Sequence, residues 1–291
     1  MDVVLTLAGI ALIVMGLLDI FHGLLHPSGK GALGHAVLVG AWRLSKATGH
    51  RAGSVVGPAA MVAVVLVWVG LQALGWALVY LPHVPGGFSY SPGVDASDYG
   101  DLAEALYISL VTLATLGFGD VVAVDPVLRL ASPIEALTGF ALLTAALTWF
   151  TQVYPPLSRR RSLALELKSL ADEGWAGSIP QLDPVAAAGV LHTLAAEVDK
   201  ARIDLTQYNE SYYFQEEDPA LSLARQLPCT LLLRDAAATA PTADVRLAGA
   251  RLGGALEQLA HKLRKDFVRS GPSPEEAFAA YAEDHRRHGR R

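Results

Sequence analysis

Thr115-Leu116-Gly117-Phe118-Gly119-Asp120 is the stretch from which the rest of this chain takes its meaning. Two glycines flank an aromatic residue, and the segment lies between long apolar runs. Irregular backbone at membrane depth is tolerated only where it is buried in protein or lines a water-filled path. Gly117 and Gly119 allow φ > 0 without a Cβ penalty. Alternation between such residues and ordinary ones lets successive carbonyls face one axis. In that arrangement Thr115 adds its hydroxyl as an inner ligand ring, and Phe118 points away as a packing cuff. Asp120 sits at the outer mouth, where negative charge attracts cations. Glycine-aromatic-glycine also occurs in ordinary turns between helices, so the flanking sequence has to decide.

In that context the hexapeptide resembles the selectivity filter of potassium channels of the pore-loop (two-transmembrane-pore, bacterial ion-channel) superfamily. There, backbone carbonyls replace the hydration shell of the ion. The resemblance implies a homotetramer in a lipid bilayer, K+ as the permeant ion, passive flow down a gradient, and no enzyme activity or bound cofactor. The chain departs from the family pattern at three places. Ala114 replaces a second threonine, Leu116 the commoner valine and Phe118 the commoner tyrosine, whose hydroxyl braces the filter. Two other readings stay open: a weakly selective cation channel, favoured by Ala114 and Leu116, and a membrane-anchored sensor or scaffold with a vestigial pore.

Composition fits a membrane protein with a polar appendage. Hydrophobic residues make up 52% of 291. Residues 1–157 hold five of the 23 Lys and Arg, and residues 158–291 hold the other eighteen together with nineteen Asp and Glu. A net charge of −5 gives no reason to expect nucleic acid as a partner. One cysteine, Cys229, excludes an intramolecular disulfide and a cysteine-based zinc cluster. Val3–Leu25 has the ~20 residues a membrane crossing needs, and without a basic leader or small-residue cleavage site it reads as a retained helix. Pro58–Leu81 is a second span, with Trp76 and Tyr80 as candidate interface anchors. A third lies within Pro126–Tyr154 and is expected to stop at Pro155-Pro156. Its start has two candidate caps, Asp125 before Pro126 or a capping box from Ser132 to Glu135.

Loop charge sets the orientation. Segment 26–53 carries Lys30, Arg43, Lys46 and Arg51 and no acid, and Arg159–Arg161 follow the third span. Between spans two and three lie six acids against Arg129 alone. The positive-inside rule places 26–53 and 158–291 in the cytoplasm, with the filter entrance and Met1 outside a plasma membrane. Asp101-Leu-Ala-Glu104 reads as the start of a pore helix running to about Thr112, with its carboxyl end aimed at the central cavity. Tyr107 on that helix either hydrogen-bonds toward the filter or packs. The whole reading is an all-α membrane protein: a pore-loop channel with three transmembrane helices and a re-entrant pore helix per chain, plus an α-helical cytoplasmic domain. The expected divisions are 1–53, an extra N-terminal helix and linker helix (33–50); 54–157, the pore domain; and 158–291, a helical regulatory domain.

Glu135 and Gly139 extend the resemblance as Glu-x-x-x-Gly in the inner helix, which the family often uses for gating. Glycine there is either a hinge or a point of close helix packing. Glu135 is either part of a helix cap or a carboxylate behind the filter. In the first span Asp19, His22 and His26 share one helical face. That set suits Zn2+ or a proton sensor, or else an ordinary polar helix end at the headgroups. The C-terminal part reads as helices opening at Asp183-Pro184 and Ser273-Pro274, with a long apolar stripe from Val245 to Phe267. The acidic run Glu216–Asp218 suits a divalent ion or a solvated helix end. No glycine-rich nucleotide fingerprint is visible, and the basic tail 286–291 suits anionic lipid or disorder.

Overall fold

The computed structural model describes residues 2–24, 31–96 and 100–286. Eleven helices occur among them: α1 Asp2–Leu24, α2 Ala32–Ala47, α3 Val56–Tyr80, α4 Asp101–Leu113, α5 Pro126–Asp172, α6 Trp175–Ser178, α7 Pro184–Gln207, α8 Leu223–Gln226, α9 Pro228–Ala238, α10 Ala243–Asp266 and α11 Pro274–Asp284. Two three-residue strands, β1 Phe88–Tyr90 and β2 Val121–Ala123, pair antiparallel. Three stretches are long and apolar enough to cross a membrane: Asp2–Leu24, Gly53–His83 and Pro126–Asp172. The fold is all-α with the strand pair as its one sheet among the described residues. The chain divides into two compact units, one of residues 1–37 and 61–151, the other of residues 38–60 and 152–291.

In the first unit, α1 lies against α3 through small residues. A Cβ on Gly9 would stand 2.5 Å from the Gly75 carbonyl oxygen, and one on Gly75 would stand 2.7 Å from Ile13. Glycine removes that obstacle, which is how apolar helices approach closely where no hydrophobic effect drives them together. Asp19 is buried on α1, and its carboxylate accepts hydrogen bonds from Leu33 N (2.8 Å), Gly34 N (3.0 Å) and Trp68 Nε1 (2.8 Å). It therefore supplies from a distance the cap that α2 lacks locally. Ile13, Trp76, Ala77, Tyr80, Phe88, Ala105, Ile108 and Leu128 form the core that seats α4 among α1, α3 and α5. Trp76 and Tyr80 belong to that core, not to an interface belt.

Helix α5 starts at the first of the two expected caps: the Asp125 carboxylate accepts from Val127 N at 2.8 Å and Leu128 N at 3.3 Å. The expected stop at Pro155-Pro156 does not occur, and α5 runs on to Asp172. A proline in a helix interior costs on the order of 3 kcal/mol through its missing N–H and ring clash. Burial of Leu157, Leu163, Ala164, Leu167 and Leu170 beyond the prolines offsets this cost, at about 1.5–3 kcal/mol per large side chain.

The second unit is built on α7 and α10, which bury Leu191, Leu194, Val198 and Leu205 against Leu252, Leu256, Leu259 and Leu263. Asp183 caps α7 by accepting from Ala186 N at 3.0 Å, and Ser273 with Glu276 forms a capping box on α11. The basic triplet after the third span is consumed internally. Arg159 makes a two-pronged pair with Asp204, buried Arg160 donates to the carbonyls of Ser211 (2.7 Å) and Phe214 (3.1 Å), and Arg161 pairs with Glu216 at 2.9 Å. The acidic run is consumed as well, since Glu217 accepts from Ser54 and Asp218 caps Ala220 N. At α11, the Asp284 carboxylate accepts from Trp42 Nε1 (2.8 Å), Lys46 Nζ (2.6 Å) and Tyr212 OH (2.7 Å). Both ring nitrogens of His285 face backbone carbonyls, Tyr212 at 2.9 Å and Tyr281 at 3.3 Å. Of the basic tail, residues 287–291 lie outside the described residues.

Burial pushes the His285 imidazole down to about 4, against the opposing pull of the Tyr212 carbonyl. Burial alone would raise Asp284, but the bonds from Lys46, Tyr212 and Trp42 outweigh it and hold the carboxyl below its ordinary value. On acidification from pH 6.5 to 4 the unfolded chain takes up a proton that the folded His285 refuses. The stability of the second unit should therefore fall by roughly 2–3 kcal/mol across that window. Asp284 adds its own loss only at lower pH. Chemical denaturation as a function of pH checks this, and His285→Gln should flatten the decline between pH 6.5 and 4.

Candidate functional site

The site begins where α4 ends. After Leu113, the amides of Ala114, Thr115 and Leu116 still bond back to Leu110, Thr112 and Val111 carbonyls, so the chain leaves the helix without orphaning its last turn. The backbone then enters an alternating conformation. Positive φ falls on every second residue: Thr115 at 56°, Gly117 at 55° and Gly119 at 77°. Left-handed geometry suits the two glycines; for β-branched Thr115 it is strained. Alternation of this kind turns successive peptide planes so that neighbouring carbonyls can point to one side, the backbone arrangement that ion coordination by carbonyls requires. Leu116 and Phe118 are exposed on the single chain at 57% and 65%.

The Asp120 end of the segment is clamped. Asp120 accepts a short hydrogen bond from Tyr107 OH on α4 and one from Val121 N at 3.0 Å. Ser91, just after β1, donates its N–H to the Asp120 carbonyl (2.8 Å) and its hydroxyl to the Gly119 carbonyl (3.2 Å). The β1–β2 pair brings Ser91 there, with Tyr90 opposite Val121.

The inner face is held by Glu135 and Gly139. Glu135 is wholly buried in the third turn of α5, so it caps nothing. Its carboxyl group accepts from Tyr80 OH at 2.5 Å and from Ser109 Oγ at 2.6 Å. One side chain thus joins α3, α4 and α5. One turn further along α5, Gly139 lies against the carboxyl end of α4: a Cβ there would stand 1.9 Å from the Leu113 carbonyl oxygen. The helix is continuous through Gly139.

Of the residues singled out in the sequence, Thr115–Asp120, Tyr107, Glu135 and Gly139 thus surround one pore helix. Asp19 and His22 lie on α1, outside that group. Asp19 is buried with three N–H donors, while His22 is exposed, its Nδ1 2.7 Å from the Leu18 carbonyl. His26 lies outside the described residues. No group of three or more His, Cys, Asp or Glu arranged to hold a metal occurs among the described residues. Tyr80, Ser109 and Ser91 are site residues that sequence reading passed over. For Tyr80 and Ser109 a polar residue inside an apolar run is the available signal, and it does not name the partner; Ser91, in a Gly- and Pro-rich loop, carries none.

With this geometry in place, comparison with known proteins agrees. Residues 64–154 match the family model described as "Ion channel", a span that takes in most of α3, all of α4 and the alternating segment, and α5 as far as Tyr154. Over that span the chain is similar to ion channels. The uncharacterized membrane protein YdjJ of Bacillus subtilis (strain 168) is 26% identical over 172 residues, 58% of this chain and 49% of that protein. The chain therefore spans about half the length of that relative. No solved structure matches.

Gly139→Ala should push the base of α4 away and lower stability by about 1–3 kcal/mol, the usual range for overpacking. Glu135→Ala should cost more, because it strands two buried hydroxyls at about 1–3 kcal/mol each. Tyr80→Phe made in the Glu135→Ala background should then cost little beyond Glu135→Ala alone. Thermal unfolding of the four detergent-solubilised proteins tests the ordering.

Proposed function

We propose that four copies of this chain form a potassium-selective channel that conducts K+ passively through the ring of Thr115-Leu116-Gly117-Phe118-Gly119. The observation that carries the reading is positive φ on every second residue from Thr115 to Gly119. That backbone offers carbonyls and the Thr115 hydroxyl to a dehydrated cation. One such segment supplies one wall, so a closed ring needs further copies. The exposed Leu116 and Phe118 are the side chains a neighbouring copy would cover. Asp120, steadied by Tyr107, marks the outer mouth.

Orientation follows from loop charge, and the packing supports it. Segment 38–60 shares one compact unit with residues 152–291, which suits two basic segments on the same side of a bilayer. The positive-inside rule assigns both segments to the cytoplasm, which puts the filter entrance outside a plasma membrane. Gating resides in α5. Because Gly139 touches the Leu113 carbonyl, movement of α5 at this turn displaces the base of the filter itself. Zn2+ or protons acting at Asp19, His22 and His26 are a second proposed input, and a metal there has to displace three N–H donors from Asp19.

Reconstituted protein under opposing K+ and Na+ gradients should reverse near the potassium equilibrium potential. Native mass spectrometry should give four times the 30.8 kDa chain mass. Reversal near zero identifies a weakly selective cation pore instead, the outcome that Ala114 and Leu116 favour, and a monomeric mass removes the ring. Replacing Asp19, His22 and His26 by alanine should alter activation across Zn2+ and pH titrations; unchanged titrations remove that input.

A further inference from the structure

The second unit carries an open groove that no part of the pore reading uses. Helix α5 ends at Asp172, and Gly174 at φ 69° turns the chain into α6. The groove forms where that corner meets α8 and α9. Its volume is about 670 Å3, within the ~300–1,000 Å3 typical of small-molecule sites. The lining is mostly apolar and includes Leu170, Trp175, Cys229, Leu231 and Leu232. The Trp175 ring is fixed by its Nε1, which donates to Glu173 at 3.0 Å. Leu232 is 62% exposed, apolar surface that an apolar occupant would remove from water.

The charged groups of the groove are unequally occupied. Arg225, Asp235 and Glu275 border it. Both acids pair with Arg234, at 2.7 and 2.8 Å. Arg225 is exposed and makes no hydrogen bond or ion pair among the described residues. Glu216 and Glu217, which share the small neighbouring cavity with Arg225, are engaged by Arg161 and Ser54. A wide apolar trough thus has one unanswered guanidinium at its edge.

From this we infer that the groove binds a free single-chain carboxylate amphiphile, its alkyl chain laid over Trp175, Leu231 and Leu232 and its carboxylate paired with Arg225. A guanidinium matches a planar carboxylate two-prongedly. Asp235 and Glu275 share one arginine, so they disfavour a doubly charged phosphate head at the same edge. The occupant is a free molecule rather than a bilayer lipid, because the groove begins at Leu170, beyond the arginine run 159–161 that closes the apolar part of α5. This inference is independent of ion conduction and is tested by binding alone.

Cys229 is the single cysteine of the chain and lies half-buried in the lining, so its rate of maleimide modification reports occupancy. The full chain is held in amphipol, so that no micelle competes for the probe. Octanoate should slow the modification about tenfold at roughly ten times its dissociation constant. Hexanoate, with two methylenes fewer to bury, should need a concentration about tenfold higher. Arg225→Gln, an exposed change, should raise the octanoate requirement about tenfold and leave protection by neutral 1-octanol unaltered, with the unfolding midpoint unmoved. Leu232→Asp, also exposed, should abolish protection by both. Protection by 1-octanol or octylammonium at concentrations as low as those of octanoate overturns the carboxylate, and stronger protection by octyl phosphate overturns it in favour of a phosphate head. Absence of protection by octanoate up to about 10 mM overturns the site itself. A native mass of Leu232→Asp below that of the parent chain overturns it in favour of a contact between copies.

Discussion

A carboxyl group buried in a membrane-spanning helix is expensive, and here the arrangement of three helices answers that expense. Glu135 is wholly enclosed, and the groups that meet it are hydroxyls from two other helices, Tyr80 and Ser109. Polar groups in hydrocarbon must find partners inside the protein. Their pairing fixes the rotation of α3 and α5 about α4 more tightly than packing of apolar side chains alone, which tolerates sliding. The position of the Thr115–Asp120 segment is downstream of this. With α4 held by Ser109 in its middle and by Gly139 at its base, the point where the chain leaves the helix is set.

The Thr115–Asp120 segment is therefore supported from both ends and left open along its side. Tyr107 and Ser91 secure Asp120 and Gly119 at the outer end, and the last turn of α4 secures Thr115. Between them the backbone makes few bonds of its own, as suits groups kept available to a cation. The second unit follows the opposite rule. Its arginine triplet, its acidic run and its buried tryptophan Trp42 are all engaged internally, and the unpartnered guanidinium of Arg225 is conspicuous against that background.

Much of this was legible in the sequence because it is local. The three apolar runs, the limits of α4 and the glycine spacing at 117 and 119 depend on residues close together in the chain. Asp183 and Ser273 announced their helices for the same reason. What stayed hidden depends on partners far apart. Glu135 finds Ser109 and Tyr80, 26 and 55 positions away, so sequence alone does not separate a cap from a brace. Tyr80 looked like an interface anchor since its position near a helix end says nothing of a carboxylate across the bundle. The three-residue strands are too short to show a period, and Pro155-Pro156 looked like a stop because the burial that outweighs it lies beyond the prolines. Arg159–Arg161 are a caution of another kind: the same three residues that weight the charge count toward the cytoplasm are also structural anchors inside their own unit.

Thr115 carries a conformational cost within the single chain. A β-branched residue at φ 56° carries on the order of 1–3 kcal/mol of conformational strain, and glycine at that position would be relaxed. A sequence chosen for the stability of one chain would not contain it. In the proposed ring the compensation is collective, supplied by neighbouring copies and by bound cations. Folding, assembly and ion occupancy then become thermodynamically linked. Such a segment stays adaptable in a newly made subunit and settles only as the ring closes, which ties the maturation of the protein to the ions it meets.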